Sequence, residues 1–307
     1  DPGFAALRPG LAVGGADGYA DLDGFFALHP TLQDLLPLWQ AGDLGFVHAV
    51  STPYRDKRSH FDGQDLLEAG VASLADRGSR DGWLNRFLQR HPGLAGETAY
   101  AVGNDALALL DGAAPVLRWA PEADLALSPQ ALLLAERVMQ DDPAMAAALA
   151  DAFRLADSDG DALTLDPDTG GSMMASMRAD MRAARGVPAP VRLAEFVADR
   201  LGQEARIAAF SVNGWDTHIK QDRTLPRALQ ALSATILTLR DRMPDRIWKQ
   251  TAIIAMTEFG RTVRLNGSGG TDHGTGGAMV LAGGAIRGGR VVGDWPGLAE
   301  AALLDRR

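Results

Sequence analysis

At 307 residues and 46% hydrophobic content, the chain is long enough to bury a sizeable core in one large domain. Its 39 acidic against 30 basic residues give a net charge of −9, a field that repels nucleic acid and anionic membrane surfaces. The absence of cysteine excludes disulfides, thiolate catalysis and cysteine-ligated zinc, and no apolar run reaches the roughly 18 residues that span a bilayer.

In chain order, Leu32, Leu35, Leu36 and Trp39 share one helical face, and residues 44–50 follow as an apolar, β-branched run read as a strand. A helix over 62–70 comes next, then a second helical face of Trp83, Leu84, Phe87 and Leu88. Further strands are expected at 98–102, 206–212, 251–256 and 278–282. Between them lie an Ala-rich periodic helix over 131–155, a Gly/Asp-rich surface loop over 156–172 and a Met-rich helix over 173–185. A long helix over 225–243 places Leu229, Leu232, Ile236 and Leu239 at helical spacing. Strands alternating with helices predict an α/β protein with a mostly parallel sheet covered on both faces.

That order places chemistry at strand ends. Asp216 and His218 follow the strand over 206–212, and Glu258 follows the strand over 251–256. In an open parallel sheet the carboxyl ends of the strands form the binding crevice, so residues distant in sequence meet there. The glycine-rich loop 267–270 is expected to be flexible and to carry Asp272 and His273 to the same place. Imidazole with carboxylate is the donor set that a zinc-like or manganese-like cation takes.

Each group also has a plainer reading. Asp216 caps a turn or orients His218; Glu258 pairs with Arg261, three residues on, or binds metal while Arg261 meets a substrate oxyanion. Ser59, with Arg55 and Arg58 upstream, either caps the following helix or acts as a nucleophile. His60 serves as a ligand, an acid/base or a supporting residue. The acidic run from Asp157 to Asp168 has EF-hand spacing, but Ala162 replaces the turn glycine and Pro167 interrupts the next helix, which favours a solvated loop. The glycine clusters at 14–18 and 283–289 lack the context of phosphate loops and read as turns. His29, His48 and His91 read as structural, and Met173, Met174, Met177 and Met181 as packing.

Several segments together resemble the bacterial domain-of-unknown-function 1501 family, a branch of the alkaline phosphatase and sulfatase superfamily. They are Leu28-His-Pro-Thr-Leu32, Arg58-Ser-His-Phe61 with Gln64, Asn213-Gly-Trp-Asp-Thr-His218 and Thr257-Glu-Phe-Gly-Arg-Thr262. The longest are Asn266-Gly-Ser-Gly-Gly-Thr-Asp-His-Gly274 and Gly288-Gly-Arg-Val-Val-Gly-Asp-Trp-Pro-Gly297.

The resemblance implies a three-layer α/β/α sandwich over residues 1–307, with the family's first strand and terminal helix expected outside this chain. It implies one or two divalent ions, zinc, manganese or calcium, at the carboxyl edge of the sheet. One ion maps to Asp216, His218 and His273; a second maps to Glu258 and Ser59, with Asp272 binding or orienting a ligand. Arg261, His60 and Ser59 are the expected catalytic groups on a small anionic ester. The expected function is hydrolysis of phosphate or sulfate esters. The alternative is a non-catalytic binding or assembly protein of the same fold, favoured by Gly260 and Arg261 standing where the superfamily has a further imidazole. Relatives with a twin-arginine signal imply a periplasmic or secreted location.

Overall fold

The computed structural model describes residues 1, 3–8, 18–54, 59–73, 75, 81–91, 93–94, 98–105, 107–120 and 188–304. The chain divides into two compact units, one formed by residues 1–118 with 190–307 and the other by 119–189. Every element that positions the site belongs to the first. The expected helices over 131–155 and 173–185, the acidic loop, Asp17, Arg55 and Arg58 lie outside the described residues.

Helix α1 (Gly3–Leu7) precedes a ribbon of β1 (Ala20–Asp21) and β2 (Ala27–Leu28). A 3-10 segment over Pro30–Leu35 leads into α2 (Leu36–Ala41) and strand β3 (Leu44–Val50). Helices α3 (His60–Ala69) and α4 (Trp83–Arg90) follow, then β4 (Ala99–Val102) and β5 (Leu117–Trp119). The later part contains α5 (Ala189–Gly202), β6 (Ile207–Ala209), α6 (Gln221–Arg242) and α7 (Asp245–Trp248). Strands β7 (Ile253–Ala255), β8 (Gly277–Ala282) and β9 (Val291–Val292) close the order.

The α/β class holds, and the described strands form small sheets of mixed direction. One sheet has the order β7-β8-β3-β9, another β5-β4-β6. β8 runs antiparallel to both β7 and β3, whereas β9 is parallel to β3 and β6 is parallel to β4. The mostly parallel central sheet read from the sequence is therefore not among the described pairings. β7 and β8 are joined without a helix between them and pair antiparallel, so the helix-bearing crossover of a parallel unit is missing at this step. No described helix is long and apolar enough to cross a membrane.

Core placement follows the apolar pattern. All four residues of β4 are buried, and Ala99 and Ala101 pack with Leu88, Leu107 and Leu110. In α6, Ala228, Leu232, Ile236 and Leu239 recur at helical spacing and are buried. The helix starts earlier than its apolar pattern, at Gln221, because that buried side chain donates to Thr217 Oγ1 at 2.7 Å and Thr271 Oγ1 at 2.9 Å. Tertiary hydrogen bonds thus extend the helix to the N-terminal side of Pro226. In α4 only part of the expected face is covered: Leu88 is buried, but Trp83 and Phe87 are each 42% exposed.

Candidate metal centre

Three chain segments converge at the site. His60 is the first residue of α3, with Ser59 at its N-cap, the hydroxyl 3.5 Å from the Asp62 N–H. Tyr54 reinforces this start, donating to Asp62 Oδ2 at 3.1 Å and accepting from the Ser59 N–H at 3.2 Å. Asp216 and His218 lie between β6 and α6, and Glu258, Arg261, Asp272 and His273 lie between β7 and β8.

The β7–β8 connection is bound to its surroundings on both sides. The Gly260 N–H donates to the Thr275 carbonyl and the Gly260 carbonyl accepts from the Gly274 N–H, and Arg261 bridges His273 in antiparallel fashion. Across from them, Lys220 N–H donates to Ser268 O at 3.1 Å, Gln221 N–H to Gly269 O at 2.9 Å and Thr271 N–H to Thr217 O at 3.0 Å. The loop expected to swing is therefore tied to the segment that carries His218. Asn266 is the hub: its amide donates to His218 O and Asp272 Oδ1 at 3.0 Å each, while its Oδ1 accepts from the Ser268 and Gly270 N–H groups. All its hydrogen-bonding capacity in two donors and two acceptor lone pairs is used.

The carboxylates divide into an inner and an outer set. Asp216 is inside: its Oδ1 lies 2.9 Å from His218 Nε2 and 3.3 Å from His273 Nε2, and its Oδ2 lies 3.4 Å from His60 Nε2. Glu258 stands behind His60, with Oε1 2.5 Å from Nδ1, and Asp272 stands behind His218, with Oδ1 3.5 Å from Nδ1. With the Nδ1 atoms of His60 and His218 turned to the outer carboxylates, the Nε2 atoms of both rings face Asp216. Outer carboxylates that orient histidines in this way are the usual support of metal-ligating imidazoles.

His60, Asp216 and His273 bring one donor atom each within 4.8 Å of one another. His218 adjoins them, with its Nε2 2.9 Å from that of His273. The His60 Nε2 atom is buried and makes no hydrogen bond, as expected of a nitrogen reserved for a cation. Phe259 floors the imidazoles, its ring centroid 5.0 Å from that of His60 and 4.7 Å from that of His273. The donor set and the orphaned nitrogen fit a divalent metal.

Arg261 donates from Nη1 to Asp216, from Nε to Thr271 Oγ1 and from Nη2 to the Thr271 carbonyl. Burial pushes the Asp216 carboxyl up, but the hydrogen bond and charge of Arg261, helped by His218 and His60, hold it below the ordinary range. Asp272 is also held low, first by the Asn266 hydrogen bond, which works against desolvation, and then by His218 and Arg261.

The structure therefore gathers Asp216, His218, Glu258, Arg261, Asp272, His273 and His60. It gives Glu258 a different neighbour, His60, from the Arg261 suggested by sequence spacing. Ser59 is adjacent in the chain and caps α3. Phe259 and Asn266 carry no chemistry of their own, and sequence reasoning does not single them out; the asparagine–glycine start of the 266–270 turn is the sequence signal for the latter.

Comparison with curated proteins and with solved structures gave no match. The family model described as "Protein of unknown function (DUF1501)" matches residues 48–306, a span that contains every residue of the centre. The chain belongs to this family.

Proposed function

We propose that the protein is a metal-dependent hydrolase of phosphate or sulfate esters, centred on His60, Asp216, His218 and His273. The observation that carries this reading is the set of Nε2 atoms turned toward one carboxylate. Three imidazoles with one carboxylate suit zinc or manganese better than calcium, which takes oxygen ligands. Such a cation supplies Lewis acidity toward an anionic ester oxygen.

The remaining roles fall to the chain. Glu258 and Asp272 fix the ring orientations of His60 and His218. Arg261 supplies positive charge beside Asp216 and meets the ester anion. Ser59 is the candidate nucleophile: its capping hydrogen bond is at the long limit of 3.5 Å and is therefore weak. The three-layer alkaline phosphatase-like sandwich and an extracytoplasmic location belong to the same proposal. The parallel β4–β6 and β3–β9 pairings support the former, and the family resemblance supports both.

Elemental analysis of gently purified protein, followed by assays with 4-nitrophenyl phosphate and 4-nitrophenyl sulfate, tests the reading. Cleavage stimulated by zinc or manganese and lost by at least about 1,000-fold in His273→Ala is expected. A second reading, a non-catalytic binding or assembly protein, is favoured by the contacts of Arg261 with Asp216 and of Glu258 with His60, which satisfy both carboxylates without an ion. Bound metal without turnover of either ester would select it.

A further inference from the structure

A cavity of about 540 Å³ opens beside the centre, lined by residues including Asn213, Asp216, His218, Ile219, Thr224 and Arg227. It joins two inner residues of the centre to the outer surface of α6. Its size suits a small organic molecule. Ile219, 60% exposed, supplies an apolar wall.

The arginines of α6 differ in their surroundings. Arg223 faces Asp222 at 3.8 Å, Arg240 faces Asp245 at 3.1 Å, and Arg242 pairs with Glu195. Arg227 alone among them has no carboxylate or hydrogen-bond partner among the described residues, and it is the one that lines the cavity. An unengaged guanidinium at the side of a cavity is a fork for a planar carboxylate or a phosphate. Arg261 is held at the centre itself, by Asp216 and Thr271, where the ester would lie.

We propose that the organic half of the substrate occupies this cavity and carries a second acidic group, which Arg227 binds. The inference rests on the hydrolase reading for the position of the ester but names what that reading leaves open, a doubly acidic substrate. The ester would lie at the centre, its carbon frame against Ile219 and its remote anion on Arg227.

Steady-state kinetics of the metal-loaded protein with phenyl phosphate and 4-carboxyphenyl phosphate provide the test. The carboxylated ester is expected to have the higher kcat/KM by roughly 10-fold, mainly through KM. That ratio should fall toward one in Arg227→Gln and recover in part in Arg227→Lys. A ratio near one in the wild type, or one unaltered by Arg227→Gln, overturns the proposal. If neither ester is cleaved, the hydrolase reading fails and calorimetric titration with the same esters decides. Tighter binding of the carboxylated ester that is lost in Arg227→Gln upholds the role of Arg227; equal or absent binding overturns it.

Discussion

The Nε2 atoms of His218 and His273 lie 2.9 Å apart, and both face Asp216 Oδ1. In the protein alone, one ring must donate and the other accept; a cation would engage both lone pairs together. Zinc or manganese should therefore raise the melting temperature, by linkage worth about 2.7 kcal/mol at 100 times Kd. His273→Ala should weaken metal binding by more than about 100-fold, since even an outer partner costs about 10–100-fold. His91, exposed and in tilted contact with Phe87 with ring centroids 4.4 Å apart, is the control: His91→Ala should keep the metal-induced shift. Equal shifts in the two variants would remove His273 from the centre.

Gly270 and Gly267 share a loop but have unequal room. A Cβ on Gly270 would lie 2.1 Å from both the carbonyl carbon and oxygen of His218, whereas one on Gly267 meets nothing within 4 Å. Gly270→Ala must push the loop from the His218 segment and should cost about 2–3 kcal/mol, with a matching loss of metal affinity. Gly267→Ala should remain within about 0.5 kcal/mol of the parent. Urea unfolding of both variants compares them, and similar midpoints would mean that the close backbone packing is not what holds the loop.

These two glycines also show what a sequence conveys. Residues 44–50 are legible as a strand because an apolar run between turn signals has few alternatives, and β3 spans Leu44–Val50. Asp216, His218 and His273 are legible as a group because their motifs sit in glycine turns after apolar runs. The partner of Glu258 is not, since local spacing suggests Arg261 while the fold supplies His60 from α3. Strand direction is hidden for a similar reason. The alternation of helices and strands along most of the chain suggests a parallel sheet, and only the tertiary pairing reveals that β8 runs antiparallel to both β7 and β3. The Asn266 side chain acts through four contacts with other parts of the loop and site, and composition shows none of them.

Ala49 has a φ of 56°, in the irregular stretch where the register of β3 against β8 shifts between Val47 and Val50. A left-handed conformation costs a residue with a Cβ roughly 1–2 kcal/mol, partly offset by the greater unfolded-state entropy of glycine. Ala49→Gly should therefore stabilise the protein by about 0.5–1 kcal/mol, and Ala49→Val should destabilise it. The chain leaves this stretch toward Thr52, whose hydroxyl donates to Glu258 O at 3.4 Å. Chemical denaturation measures both variants; a glycine that lowers stability would show that the strain is relieved by contacts of the Ala49 methyl.

His29 caps the 3-10 segment over Pro30–Leu35, its Nδ1 accepting from the Thr31 N–H at 3.1 Å. This role requires an unprotonated Nδ1, and burial lowers the pKa of the ring below its ordinary value. As the pH drops, the unfolded chain therefore takes up the proton first. The stabilisation is complete above about pH 6.5 and is lost as the pH falls through the lower, folded value. An asparagine side chain does not titrate and is a good cap, so His29→Asn should flatten this part of the profile. Melting temperatures from about pH 7.5 down to about 4.5 should fall more steeply in the wild type than in the variant. That difference in slope holds whatever offset the variant takes from losing the Tyr19 ring contact, at 5.6 Å between centroids. Parallel profiles would show that protonation of His29 is not coupled to folding.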